Sequence, residues 1–366
     1  MRLDPFSRST KQSASDSRPS PPLARGGLGT LLLIGLFLAG WWYSTSYDGT
    51  GELVQFSGAT MGTTYTIKIR QLPNDKTSDE LQAEVDRILA QVNRQMSTYD
   101  RESELSRFNR TQSTDWVAVS PELLAVVKAA LRISRLTDGA FDITIGPVVN
   151  LWGFGSQMTA GELPSDEAVK NALAKVGYER VHTRNPPPAL RKERPDIYID
   201  LSAIAKGYGV DKIAQYLESL GIAHYLVEIG GELRGKGLNP NGVSWRIAIE
   251  KPDPGQRVIE RIVQISDKGV ATSGDYRNFF EIAGQRYSHA MDPRTGRPVR
   301  HDLASVTVMS DTCMEADALA TALLVMGPEQ GFRLAQNQGI EAFFIVINPG
   351  GFTEKSTSGF ERYVVD

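Results

Sequence analysis

Two stretches of this chain carry residue types that suit an anion and a hard cation. The first is Asp200-Leu-Ser-Ala-Ile-Ala-Lys-Gly-Tyr-Gly-Val-Asp211. Residues 196–200 before its turn alternate as a strand does, and Val210, Ile213, Ala214 and Leu217 then recur at helical spacing until Gly221. A strand-to-helix turn is therefore predicted over 200–209. Such a turn offers free backbone N–H groups and the positive end of a helix dipole. Lys206, with Gly207 and Gly209 where backbone can come close, makes it a setting for a phosphate. The glycines form neither a Walker nor a Rossmann pattern, and a plain strand–helix junction with an Asp cap accounts for the same string.

The second stretch is Glu315-Ala-Asp317 through Thr321. Asp317 and Thr321 are four apart and so share a helix face, among small neighbours at Ala316, Ala318, Ala320 and Ala322. A carboxylate beside a hydroxyl suits Mg²⁺, which takes few carboxylates and leaves positions for phosphates and water. A polar pair between packed helices is the alternative. Of the four histidines, His289 has the most suggestive setting. It ends a strand beside Ser288 and the Asp292 turn, where an imidazole could accept a proton at neutral pH.

These residues must be carried by folded elements. The chain has 366 residues, is 41% hydrophobic and has a formal charge of −3, which gives no broad basic surface for nucleic acid. Its one cysteine, Cys313, excludes an internal disulfide and a Cys-rich zinc cluster. Residues 1–27 are rich in Ser, Pro and Arg and read as a disordered tail. Residues 28–46 hold an apolar run ending in Trp41, Trp42 and Tyr43, with Arg and Lys before it and Asp48 and Glu52 after it. That pattern predicts an inner-membrane anchor, cleaved or uncleaved, with a cytoplasmic tail and everything after it outside, in the periplasm.

Beyond the anchor, a domain is expected over 50–366. A loop of small residues enters a strand at 65–69. Ser78 caps a helix bearing Leu81, Val85, Ile88, Leu89 and Val92, and a polar segment at 96–109 contains Tyr99, whose ring could stack on a flat ligand. A helix begins at Ser120-Pro121. The apolar run 140–154 is buried core or the floor of a pocket, with Asp142 as its polar group. Strands are expected at 225–229, 245–250, 259–265, 305–309 and 342–347, with a hairpin around 279–289. A helix capped by Asp311 or Thr312 runs over 314–326 and ends at Gly327-Pro328. Strands without strict βαβ alternation argue for an α+β fold.

Taken in order, the motifs resemble those of the ApbE family, the FAD:protein FMN transferases. They are Thr60-Met-Gly-Thr-Thr-Tyr65, Met96-Ser-Thr-Tyr-Asp100, Gly139-Ala-Phe-Asp-Ile-Thr144, Asp200-Leu-Ser-Ala-Ile-Ala-Lys-Gly-Tyr208, Ile229-Gly-Gly-Glu232, Val270-Ala-Thr-Ser-Gly274, Ser288-His289 with Asp292-Pro-Arg-Thr-Gly296, and Glu315-Ala-Asp317 through Thr321. The resemblance implies mixed sheets with packed helices of the T-fold kind and an FAD site between two lobes. It implies Mg²⁺-dependent transfer of FMN from FAD to a Thr or Ser hydroxyl of a target protein, through a phosphoester, releasing AMP. Met61, Tyr99, Ala140, Phe141, Asp142, Asp200, Lys206 and Met291 match flavin-site positions. Ala203, through its carbonyl, with Asp317 and Thr321, matches the metal ligands, and His289 matches the histidine that activates the acceptor. The acceptors it suggests are flavin-carrying subunits of redox-driven pumps or Rnf-type complexes.

This sequence departs from the family pattern twice. The lipid-attachment cysteine of many relatives has no counterpart, so a protein anchor is expected in its place. Ala320 stands where some relatives have Asp, which leaves Asp317 as the one acidic ligand. A Mg²⁺-dependent FAD pyrophosphatase, with water as acceptor, and a flavin-binding protein without catalysis are the competing readings.

Overall fold

The computed structural model describes residues 52–155, 163–252, 259–274, 279–282 and 285–365. The expected tail and membrane segment lie outside them. Among the described residues no helix is long and apolar enough to cross a membrane.

Eight antiparallel strands lie side by side in the order in which the chain makes them: β1 Val54–Thr60, β2 Thr63–Ile69, β3 Tyr225–Ile229, β4 Glu232–Lys236, β5 Lys268–Gly274, β6 Leu303–Ser310, β7 Glu341–Asn348 and β8 Gly351–Ser356. The other described elements are inserted between neighbouring strands, apart from a short helix, Ser358–Glu361, and a short strand, Val364–Val365, that follow β8. Tyr65, Ile67 and Ile69 of β2 are wholly buried, as their alternation predicts. β6 and β7 are covered on both faces. Phe344 enters the core under the helices, while Phe343 and Ile345 enter the core under the hairpin of Trp245–Glu250 and Ile259–Ile265. An α+β fold is the result.

Seven helices matter for the site: α1 Ser78–Met96, α2 Glu104–Arg110, α3 Pro121–Leu136, α4 Gly146–Leu151, α5 Asp166–Leu173, α6 Ala205–Ser219 and α7 Cys313–Gln338. The cap of α1 is Thr77, not Ser78. Glu80 lies three residues after Thr77 and returns its carboxylate to the Thr77 N–H, closing a capping box. Thr312 caps α7. The α7 helix does break at Gly327, with φ +80°, but it resumes after Pro328 and runs to Gln338. His301 Nε2 bonds to the carbonyl of Leu324 at the break.

Two further expectations fail, each for a physical reason. The loop before β2 is itself a strand, β1. It is joined to β2 by a two-residue turn in which Met61 (φ +49°) and Gly62 (φ +73°) are both left-handed, the geometry that matches strand twist. Residues 196–200 are not a strand. Ile197 and Ile199 are buried, which gives the alternation, but a side chain satisfies the backbone in place of a neighbouring strand. Asn109 donates to the Ile199 carbonyl (2.8 Å) and accepts from its N–H (2.9 Å). Beside it Lys192, 1% exposed, donates to the carbonyls of Asn109 (3.0 Å) and Pro195 (2.8 Å). Burial depresses its ammonium.

From Thr50 onward the chain is one unit, so the two lobes the resemblance implies are not separable domains. The unit contains four apolar clusters. One lies under α3 and α7, one under α1 and α6, one beneath the 245–265 hairpin, and one around α4 and α5.

Asn109→Ala leaves both polar groups of Ile199 buried without partners. At about 1–3 kcal/mol for each, the loss of stability should be about 2–6 kcal/mol by urea unfolding. A loss below roughly 0.5 kcal/mol, the range of an ordinary surface substitution, would show that the segment is held by something else.

Candidate active site

The N-termini of α6 and α7 meet, and each helix supplies a carboxylate to the other. Asp317 of α7 accepts the Gly207 N–H of α6 on Oδ2 (3.0 Å). Asp211 of α6 accepts the Cys313 N–H (3.0 Å) and the Met314 N–H (2.9 Å) of α7. Free N–H groups and helix dipoles favour negative charge at both places. The contact is so close that a Cβ on Gly207 would lie 2.4 Å from the Cys313 carbonyl oxygen, so no larger residue fits without moving α7. Arg234 of β4 completes the lock, with Nη1 2.9 Å from Asp211 Oδ1 and 3.0 Å from the Asp311 carbonyl. Burial pushes the Asp211 carboxyl up, against the pull of the two amides and Arg234.

The expected anion site at Lys206 is thus already addressed by protein carboxylates. Lys206 Nζ lies 3.2 Å from Glu232 Oε1 and 3.7 Å from Asp317 Oδ1. Burial disfavours the ammonium, yet Asp317 and Glu232 together raise it. Burial and the charge of Asp317 raise the Glu232 carboxyl despite Lys206. One cation between two carboxylates leaves an excess negative charge. Glu232 reaches this place because the Gly230-Gly231 turn, with φ +58° and +101°, starts β4 beside Thr63.

The expected metal set is Ala203, Asp317 and Thr321. In a continuous helix the Gly207 N–H would close on the Ala203 carbonyl. It goes to Asp317 instead, and among the described residues no backbone amide donates to the Ala203 oxygen. That freed carbonyl lies at the same helix start as the Asp317 carboxylate. One turn further along α7, Thr321 Oγ1 lies 3.2 Å from Ser273 Oγ of β5. A carbonyl, a carboxylate and a hydroxyl are hard oxygen donors of the kind Mg²⁺ takes.

Around this centre the expected flavin-site residues fall into two connected groups. Asp200 accepts from the N–H (2.8 Å) and hydroxyl (2.6 Å) of Ser202 and so shapes the turn that carries Ala203. Its own N–H donates to Ile143 (2.7 Å), which ties the turn to the 139–145 loop. Tyr99 is 68% exposed, its ring available for stacking, and loss of solvation and the charge of Asp200 raise its phenol. Met61, in its left-handed turn, packs against Gly209 of α6. Ala140 and Phe141 are buried, and Asp142 organises its own loop. Asp142 accepts the N–H (2.7 Å) and hydroxyl (2.7 Å) of Thr144 and the Tyr178 N–H (2.9 Å). Burial, opposed by these bonds, raises its carboxyl.

The second group is His289 and Met291. His289 meets the ring of Phe154 edge-on at 6.3 Å, and Met291 is buried in the cluster of Trp152 and Tyr287. Trp152 Nε1 donates to the Gly296 carbonyl (2.9 Å), fixing the turn after Asp292. The helix α4 joins the two groups, since a Cβ on its Gly146 would meet the Tyr198 ring at 2.4 Å and Asp200 Cβ at 3.5 Å. Asp142 and Arg294 line a common cavity of about 260 Å³.

Sequence reasoning gave no role to Asp211 or Glu232. Both stand in motifs it had marked, one closing the Lys206 string and one following Gly230-Gly231. The available signal was an acidic residue on a helix face or strand start that is otherwise apolar.

The sequence profile of the ApbE family matches residues 61–344. The FAD:protein FMN transferase of Vibrio cholerae serotype O1 is 51% identical over 313 residues, 86% of this chain and 93% of that protein. That of Haemophilus influenzae is 42% identical over 316 residues, 85% and 91% of the two chains. Among solved structures, the flavin transferase ApbE from Vibrio cholerae matches with a TM-score of 0.80 at 50% identity, covering 85% of this chain and 99% of that one. The apo form of the Pseudomonas stutzeri flavinyl transferase ApbE matches with a TM-score of 0.79 at 41% identity, covering 85% and 96%.

Asp211→Ala removes the acceptor of two α7 amides and the carboxylate partner of the partly buried Arg234. It should cost about 3–5 kcal/mol, and Asp211→Asn, which keeps one acceptor oxygen, less. Urea unfolding of the two variants checks the order. Equal losses in both would mean that the charge on Asp211, not its reach to α7, holds the helices together.

Proposed function

The chain belongs to the ApbE family, and on that premise we propose that it transfers FMN from FAD to a Thr or Ser hydroxyl of a target protein, forming a phosphoester and releasing AMP. The observation that carries this reading is the helix junction. A carboxylate and a freed carbonyl converge there beside Lys206, on a chain whose relatives are named for flavin transfer.

Ala203, Asp317 and Thr321 would hold Mg²⁺, whose charge would offset that of the pyrophosphate. The protein's own groups have distinct tasks. The exposed ring of Tyr99 stacks on the isoalloxazine, and Met61, Ala140, Phe141 and Met291 give the apolar surroundings. Asp142 and Asp200 keep the two loops in register, and Lys206 adds positive charge on the AMP side. The acceptor oxygen attacks the FMN phosphorus. The bond from that phosphorus to the bridging oxygen breaks, and AMP leaves with that oxygen. A ring nitrogen of His289 takes the hydroxyl proton. Phosphoryl transfer needs little beyond such positioning, charge stabilisation and a proton acceptor.

The acceptors proposed are flavin-carrying subunits of redox-driven pumps or Rnf-type complexes. Residues 28–46 anchor the enzyme in the inner membrane with its catalytic part in the periplasm. This placement rests on the basic tail and the apolar run.

Incubation with FAD, Mg²⁺ and an acceptor domain should give a fluorescent acceptor band and one AMP per flavin transferred, whereas free FMN in its place would identify a hydrolase. His289→Ala should lose transfer by roughly 10²–10⁴-fold with FAD affinity little changed. Weak FAD binding with normal turnover at saturation would instead make His289 a binding residue. A phosphatase reporter that is active only outside the cytoplasm, fused after Ser46, should be active. Activity of a cytoplasmic reporter at that point would reject the proposed topology.

A further inference from the structure

Glu232 has no task in the reaction just described, yet its surroundings are unusual. The side chain is 6% exposed. Oε1 faces Lys206 Nζ at 3.2 Å, and Oε2 is buried without a hydrogen-bond partner. Buried carboxylates normally gather donors, because an unpartnered charge in a low dielectric is costly. Asp317 has the Gly207 amide, and Asp211 has two amides and Arg234. Among the described residues the ion partner of Glu232 is Lys206.

Lys206 has two carboxylates within reach, Glu232 at 3.2 Å and Asp317 Oδ1 at 3.7 Å. The two oxygens of Asp317 are addressed by consecutive residues of α6. Gly207 holds Oδ2 through its N–H, and Lys206 faces Oδ1. Oδ1 is therefore the oxygen left for a divalent cation. An ammonium in full contact with it would compete for that place directly, by occupying a lone pair and by like-charge repulsion. With Glu232 neutral, Lys206 would have Asp317 as its remaining carboxylate and a short distance to close.

We propose that Glu232 is a positioning residue, drawing Lys206 away from Asp317 and so keeping Oδ1 available to a divalent cation. The inference rests on reading Asp317 as the cation's carboxylate. Glu232 suits the task because it is set by backbone. The Gly230-Gly231 turn fixes where β4 begins, and β4 pairs with β3 and β5 on its two sides. Lys206 is thus held by a carboxylate belonging to the sheet, while Asp317 belongs to a helix.

The test measures Mn²⁺ binding to the full chain, without nucleotide, from the free-ion electron paramagnetic resonance signal. Asp317→Asn should abolish binding. Binding equal to wild type in that variant would overturn the reading of the site, and this inference with it. Glu232→Gln should weaken Mn²⁺ binding by roughly tenfold, while Lys206→Met should bind at least as tightly as wild type. The double variant Lys206→Met with Glu232→Gln should return to within about threefold of wild type, because removing the competing ammonium makes its restraint unnecessary. Thermal unfolding of each variant establishes that it is folded. Wild-type affinity in Glu232→Gln would overturn the proposal. A double variant as weak as Glu232→Gln would do the same, since Glu232 would then act on the ion without Lys206. Should Glu232→Gln fail to fold, Lys206→Met alone decides, and weaker binding there counts against the proposal.

Discussion

A helix start has amide protons without partners, and a buried carboxylate needs donors. Here two helices answer both needs by exchange. Asp211 of α6 takes the first amides of α7, and Asp317 of α7 takes an early amide of α6. The rest of the site depends on this exchange. It draws the Gly207 N–H off the α6 ladder and so frees the Ala203 carbonyl. It fixes one oxygen of Asp317 and leaves the other facing Lys206. It also brings the helices to a separation that Gly207 alone among residue types permits without displacement. The same donors therefore serve stability and chemistry.

The outer parts of the site are placed by different means. Asn109 and Lys192 hold the extended segment before Asp200 with side chains, in the absence of a strand partner. The apolar cluster around Trp152 holds Met291, and Phe154 borders His289. The two groups of expected site residues thus hang from separate supports that meet at α4.

Much of this was legible in the sequence. The helical spacing of Asp317 and Thr321, the start of α6 after Asp200, the α+β class and the Gly327 break all follow from local patterns, because spacing and punctuation are local. Three things were not legible. The segment 196–200 alternates like a strand, but burial of one face, through Ile197 and Ile199, gives that period with or without a ladder. The start of α1 depended on which of two adjacent hydroxyl residues Glu80 could reach. The roles of Asp211 and Glu232 depend on helices and strands that are distant in the chain, and no local pattern records that. The pairing of Lys206 with Glu232 and Asp317 was not legible either, because those partners lie 26 and 111 positions further along the chain.

The serial order of the sheet has a kinetic consequence. β1 and β2 form a local hairpin, as do β3 with β4 and β7 with β8, but β2 meets β3 only after residues 70–224 have been made. Contacts of such long sequence separation carry the largest loop-closure entropy and form late. Tyr99, Asp142, Asp200 and Lys206 lie inside that long excursion, while Glu232, His289 and Asp317 come after it. No nascent fragment ending before β6 and α7 holds both halves of the site. Ligand competence therefore waits for α7, which brings Asp317 and Thr321 to residues made long before them.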